Sequence, residues 1–397
     1  MTNASFPELS LPSRILLGPG PSNIHPRVYK AMMSPMLGYF DMDFLKVMDG
    51  VSAMLRLVFQ TRNDMTLAIT GTGTKGMEAS VLNLLEPGDT GVICTNGFFG
   101  ERMAQIAERS GAKIVMVQFP WGQLVDEDVV RKELKKHAKV KVLAVVHGET
   151  STGVLQPLEG LSKLAKEHNA LLLADAVASL GGCPVLPDQW GVDFCFSATQ
   201  KCIGAPPSLS PITVSEKGTA AIDGRKEKVR SFYADLALMR KYWTTMTVRP
   251  YHHTAPTTSI YGLYEALRVI LDEGLEARFE RHRRNGAAFR AGIGAIGLKI
   301  FAPEGHRMDQ LHSVVVPDGV DAARVKDRIL KEHNIEIGAG IGAMNGKIWR
   351  VGFMGESSTM GNVMLLLRVM EKVLSQEGFK LPMGEGVAAA QKAFLGA

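Results

Sequence analysis

From residue 65 onward the chain alternates short apolar runs with stretches of helical period. MTLAIT (65–70), GVICT (91–95), KIVMVQF (113–119), KVLAVVH (141–147), ALLLAD (170–175) and DFCFSAT (193–199) are dominated by apolar residues without strict polar alternation. That is the pattern of strands covered on both faces. Between them, 75–85, 99–111, 125–136 and 158–168 space their apolar residues three and four apart, and two of them close on turn residues, EPGD and Gly111. These read as helices. Strand and helix in regular succession predict an α/β fold, with a mostly parallel, doubly wound central sheet wrapped by helices. Ligands of such sheets gather at the carboxyl ends of the strands.

The pattern changes after about residue 265. One long helix over about 258–293 is followed by LKIF, LHSVVV, a helix at 321–333, IEIG, KIWRVGF and a last helix at 359–375. This order predicts a smaller α+β unit with a mostly antiparallel sheet. Three parts are therefore expected: an N-terminal extension (1–25) holding the turn cluster GPGPSN, a large domain (26–265) and a small C-terminal domain (266–397).

Composition narrows the function classes. The 397 residues suffice for two cores, and 46% hydrophobic with 21% charged residues is ordinary globular usage. A formal net charge of +5, spread along the chain, suits small anionic substrates and does not point to nucleic acid. No run approaches the ~18 apolar residues of a membrane span, so none is expected. The first ten residues lack the charged and apolar regions of a secretory leader. Four scattered cysteines without a CxxC pair read as reduced thiols in a cytoplasmic protein.

Three groups fall at three strand ends. Gly71-Thr72-Gly73-Thr74-Lys75-Gly76 follows one strand and opens a helix, where N–H groups and hydroxyls can hold a phosphate. The same residues match the dinucleotide fingerprint G-x-G-x-x-G, which would make the protein an NAD-dependent oxidoreductase. That reading requires an acid at the end of the next strand, whereas Glu86 and Asp89 lie before it. Asp175 closes ALLLAD, where a carboxylate either caps a helix or serves as counter-ion to a protonated ring nitrogen. Lys201 follows SATQ and supplies an amine to the same crevice. Phosphate cup, acid and amine together fit pyridoxal 5′-phosphate. Arg350, in KIWRVG, offers a planar fork for a carboxylate, or is an ordinary surface arginine.

These segments resemble the class V aminotransferases, and among them the alanine–glyoxylate and serine–pyruvate enzymes. The resemblance rests on LLGPGPSN (16–23), VFQTRN (58–63), LEPGD (85–89), HGETSTGVLQPLEG (147–160), LLLADAVASLGG (171–182), SATQK (197–201), APP (205–207) and YHHT (251–254). It implies a fold-type-I homodimer with shared active sites, and transfer of an amino group from alanine or serine to glyoxylate or pyruvate. By position it gives Lys201 the Schiff-base role and Asp175 the ring-nitrogen partner. Gln200 and Thr150 would touch the ring or its 3-oxygen, and Thr72, Gly73 and Thr74 would form the phosphate cup. Tyr251 and Thr254 would reach the phosphate of the other subunit. Arg350 would hold the substrate carboxylate, and Gly20 would line the substrate pocket. Phe99 stands where the animal enzymes stack a Trp on the ring, Thr74 replaces a His, and Ser208 replaces a Gly. Another donor, or a lyase of the same family, would keep the same lysine and aspartate. A cysteine desulfurase would need a cysteine near 338–347, and GAGIGAMNGK has none.

Overall fold

Seven strands form the central sheet: β1 (Met65–Thr70), β2 (Thr90–Thr95), β3 (Lys113–Gln118), β4 (Val142–Val146), β5 (Leu171–Asp175), β6 (Phe194–Phe196) and β7 (Leu209–Val214). They are seen in a computed structural model that describes residues 6–243 and 248–396. Residues 1–5 of the expected N-terminal extension, 244–247 of the expected large domain and the final residue, 397, lie outside the described residues. The strand order is β1-β7-β6-β5-β4-β2-β3. Neighbours from β6 through β3 run parallel, while β7 runs antiparallel to both β1 and β6. Every residue of β4 and β5 is buried, as continuous apolar runs require. β3, at the sheet edge, is largely open on its outer side.

Helix α1 (Gly73–Leu84) follows β1, and α2 (Phe98–Glu108) follows β2. The helix Met42–Val58 packs on this layer through Phe44, Met48, Val51 and Leu55, a three-and-four spacing that makes one apolar stripe. Among the described residues no helix is long and apolar enough to cross a membrane.

A second, antiparallel sheet has the order β8 (Leu311–Val315), β10 (Ile348–Gly352), β9 (Gly338–Ala339). It packs around its own core, which includes Phe289, Trp349, Phe353 and Leu366. The LKIF segment contributes only a bridge from Ile300 to Val314, not a strand. The helix expected over 258–293 is in fact two, α3 (Thr257–Glu273) and α4 (Leu275–Ala295). Gly274, at φ +83°, separates them; a residue in that region ends a helix, and glycine takes it without strain.

The start of the chain joins the two parts. Ile15–Leu16 pairs in parallel with Ile335–Glu336, and Leu17 is buried in the second core. The turn that follows returns to the central sheet and lies against Lys201. From α4, buried Arg278 donates to Gly181 O at 2.9 Å and to Cys202 O at 2.6 Å. Glu273, at the helix break, holds Arg278 at 2.6 Å and Arg281 at 2.5 Å.

Candidate active site

The carboxyl ends of β1, β2, β4, β5 and β6 share one edge of the sheet, and the chemistry gathers there. After β1, Gly71 turns the chain at φ +128°, where a Cβ would sit 2.6 Å from Lys75 Cβ. Thr72 then begins α1 with no side-chain cap. The first-turn N–H groups of a helix have no intrahelical acceptor, so this start can bind an anion.

Asp175 is the last residue of β5, level with Val146 and Phe196 on its neighbours. Only 2% exposed, it accepts Val177 N–H at 2.8 Å and forms no ion pair among the described residues. No helix follows it, so it is not the plain helix cap of its simpler reading. Burial pushes its pKa up to about 7, with the Glu149 charge adding to the rise and Val177 N–H, Lys201 and Arg102 opposing it.

Lys201 lies in the turn Thr199–Ile203 after β6, and its Nζ donates to Pro19 O. Gly20, at φ +102°, rests on the lysine: a Cβ there would be 2.7 Å from Lys201 Cδ and 2.8 Å from Nζ. Burial lowers the lysine pKa to about 8, helped by the charge of Arg350. Next to it, Gln200 Oε1 is buried without a hydrogen-bond partner among the described residues. Thr72, Gly73, Thr74, Phe99, Thr150, Asp175, Gln200 and Lys201 line a single cleft.

Arg350 comes from β10 in the second sheet. It is 9% exposed, donates Nε–H to Ala339 O at 2.7 Å and has no ion pair among the described residues. Burial lowers its pKa to about 10 against the pull of Glu149. A buried guanidinium without an acid is costly, and a substrate carboxylate would relieve that cost.

Tyr251 and Thr254 are not part of this cleft. Their hydroxyls meet at 3.1 Å, and Tyr251 is 55% exposed. Their loop is tied to the end of β1 by His253 Nε2 and Thr70 Oγ1 at 2.8 Å.

Two charged residues at or beside the cleft escape the sequence reading. Arg102, three residues after Phe99 on α2, lies over the Phe98 and Phe99 rings at 4.8 and 5.1 Å and donates to Thr74 Oγ1 at 3.5 Å. Its position at i+3 from Phe99 was the available signal. Glu149, between the cleft residues Gly148 and Thr150, is fully buried. Nothing local in HGET marks it, because the helix N–H groups it accepts are some fifty positions away.

The cleft fits pyridoxal 5′-phosphate: an uncapped helix start for the phosphate, an acid without a cation, an amine with a lowered pKa, and an orphaned amide oxygen. It does not fit a dinucleotide, because Glu86 is spent on Lys226 and Glu227 N–H, and Asp89 on Glu86 N–H. Fold and cleft together define a fold-type-I pyridoxal-phosphate enzyme.

Residues 19–353 match the family model described as aminotransferase class-V. The alanine–glyoxylate aminotransferase of Rattus norvegicus is 40% identical over 369 residues, covering 92% of this chain and 89% of its own. The crystal structure of the ureidoglycine–glyoxylate aminotransferase from Bacillus subtilis superposes with a TM-score of 0.94 at 39% identity, over 98% of this chain and all of that one. That of an alanine–glyoxylate aminotransferase from Nostoc gives 0.91 at 44%, over 94% and 98%. The chain belongs to the class V aminotransferase family; it is a transaminase, and its cofactor is pyridoxal 5′-phosphate.

Proposed function

We propose that this transaminase moves the amino group of a small amino acid, alanine or serine, onto glyoxylate to give glycine, or onto pyruvate. The observation that carries this reading is the Lys201 amine, with Gly20 resting on it, in one cleft with Asp175 and the uncapped start of α1. The named activities of the relatives support glyoxylate as acceptor.

The cofactor supplies an aldehyde for exchange of amines and a protonated ring that draws electron density from the substrate α-carbon. Lys201 would anchor the cofactor and, once freed, would take the substrate α-proton onto Nζ and hand it on. A pKa of about 8 leaves part of the lysine neutral near neutral pH, as a base requires. Asp175 holds the proton on the ring nitrogen; as a cation arrives beside it, its own proton is lost more readily. Thr72, Gly73 and Thr74 would hold the phosphate, Phe99 would lie against the ring, and Gln200 and Thr150 would meet its oxygen edge. Arg350 grips the carboxylate common to every substrate.

We assign the active unit as a homodimer in which Tyr251 and Thr254 complete the partner's phosphate cup. Their exposure, and the cluster Tyr39, Phe40 and Tyr251 at 5.3 and 6.1 Å, support a surface that a second chain covers. Four unpaired, buried thiols fit a cytoplasmic location.

A second donor, (S)-ureidoglycine, is favoured by the likeness to the Bacillus subtilis enzyme. Steady-state assays of alanine, serine and (S)-ureidoglycine against glyoxylate and pyruvate decide. The proposal expects glycine from glyoxylate with alanine or serine. A kcat/KM for ureidoglycine far above both would replace the donor, and no glycine from any of the three would refute the function.

A further inference from the structure

Helix α2 begins without a cap of its own. Its N-cap is Gly97, which has no side chain, yet the N–H groups of the first turn lie inside the protein. Those groups are satisfied from another segment. Glu149 Oε2 accepts Phe99 N–H at 3.0 Å and Gly100 N–H at 3.3 Å, while Oε1 accepts Ser151 N–H at 3.0 Å and Ser151 Oγ–H at 2.7 Å. Ser151 Oγ in turn accepts Phe98 N–H at 3.0 Å. Burial pushes the Glu149 pKa up, and the donors from Ser151, Phe99 and Gly100 oppose that rise; all contacts to the carboxylate are donors, and a helix N-terminus favours negative charge. The approach is close enough to explain the glycine: a Cβ on Gly97 would meet Glu149 Cγ at 2.5 Å and Ser151 Oγ at 2.6 Å.

The two anchored ends both reach the cleft. Phe99 and Arg102 leave the first turn of α2 into it, and Gly148 and Thr150 flank Glu149 on the other side. We propose that Glu149 is a positioning residue, whose carboxylate locks the first turn of α2 to the 148–151 turn and so sets the plane of Phe99 against the cofactor ring. This rests on the cofactor reading of the cleft. The carboxylate touches no ligand; it acts through Phe99. The Glu149 charge also supports the charged form of Arg350 across the site, so the anchor is electrically coupled to the carboxylate fork.

The test titrates the full-length apoenzyme with pyridoxal 5′-phosphate, followed by visible absorbance and induced circular dichroism. If the wild-type chain develops no visible band, the cofactor reading itself fails and Glu149 is not in question. With a normal wild-type band, Glu149→Gln is expected to raise the cofactor Kd about tenfold and to weaken the induced dichroic band, since an amide must turn its NH2 toward two of the four N–H or O–H groups. In a Phe99→Ala background the same change is expected to shift Kd less than about twofold, because nothing is left to align. If Glu149→Gln does not fold, Ser151→Ala keeps the carboxylate and frees Phe98 N–H; a loss of about threefold that likewise vanishes without Phe99 supports the proposal. An equal loss with and without Phe99, or no loss in either background, overturns it.

Discussion

Arg350 approaches the cleft from the second sheet with one backbone bond and, among the described residues, no acidic partner. Its planar fork makes two parallel bonds to a carboxylate, whereas a lysine offers a point charge. Arg350→Lys should therefore raise KM for every amino and keto acid alike. Loss of one charge-assisted bond corresponds to about 1.5–3 kcal/mol, or roughly 10- to 150-fold in kcat/KM. Steady-state kinetics with alanine, serine and glyoxylate check this; damage confined to one donor would mean that Arg350 reads a side chain instead. At this scale the site was legible where a polar residue interrupts a buried apolar run. Asp175 and Lys201 stand out for that reason, as does Thr72 beside its glycines. Glu149 did not stand out, because its role is defined by N–H groups of a distant helix. Arg102 looked like any helical surface arginine until its place over two rings was seen.

Among the elements, α4 carries the most informative contact. Arg278 is 3% exposed and spans from Glu273 to the carbonyls of Gly181 and Cys202, the residue next to Lys201. Arg278→Met would fill the space but leave both carbonyls without their donor and Glu273 with Arg281 alone. Leaving two buried carbonyls without a donor costs about 1–3 kcal/mol each, while Glu273 keeps Arg281. Urea unfolding of the holoenzyme should show a loss of that order, and a loss under about 1 kcal/mol would mean that water replaces the guanidinium. The strand and helix periods that the sequence displays are those of the parallel layer. β7 was not among them, because Pro211 argues against a central strand. It is tolerated just past the end of β6, where the Pro211 carbonyl accepts Ser197 N–H at 2.8 Å and no ladder donor is required of it. The break between α3 and α4 was masked by continuous helical period on both sides of Gly274. The helix Glu385–Leu395 also went unread: its alanines make a weak stripe.

For the whole molecule, the central claim is that strand ends from one sheet, a turn from the N-terminus and an arginine from the second sheet make one transaminase site. The sharing of that site between subunits has its own test. Lys201→Ala chains mixed with Tyr251→Phe/Thr254→Ala chains form heterodimers with one doubly damaged and one intact site. Random exchange should return about a quarter of wild-type activity, given two-fold symmetry. Confirmed exchange without recovery would place both residues outside the partner's site. The switch of period near residue 265 is visible in the sequence, whereas the pairing of Ile15–Leu16 with Ile335–Glu336 joins segments too distant for any local pattern to reveal. The most direct measurement of the central claim is borohydride reduction of the purified enzyme followed by peptide mapping. The account predicts one phosphopyridoxyl group, on Lys201, with activity lost in proportion to its formation. A group on another lysine, such as Lys75 beside the phosphate cup, or none on a protein that still transaminates, would contradict it.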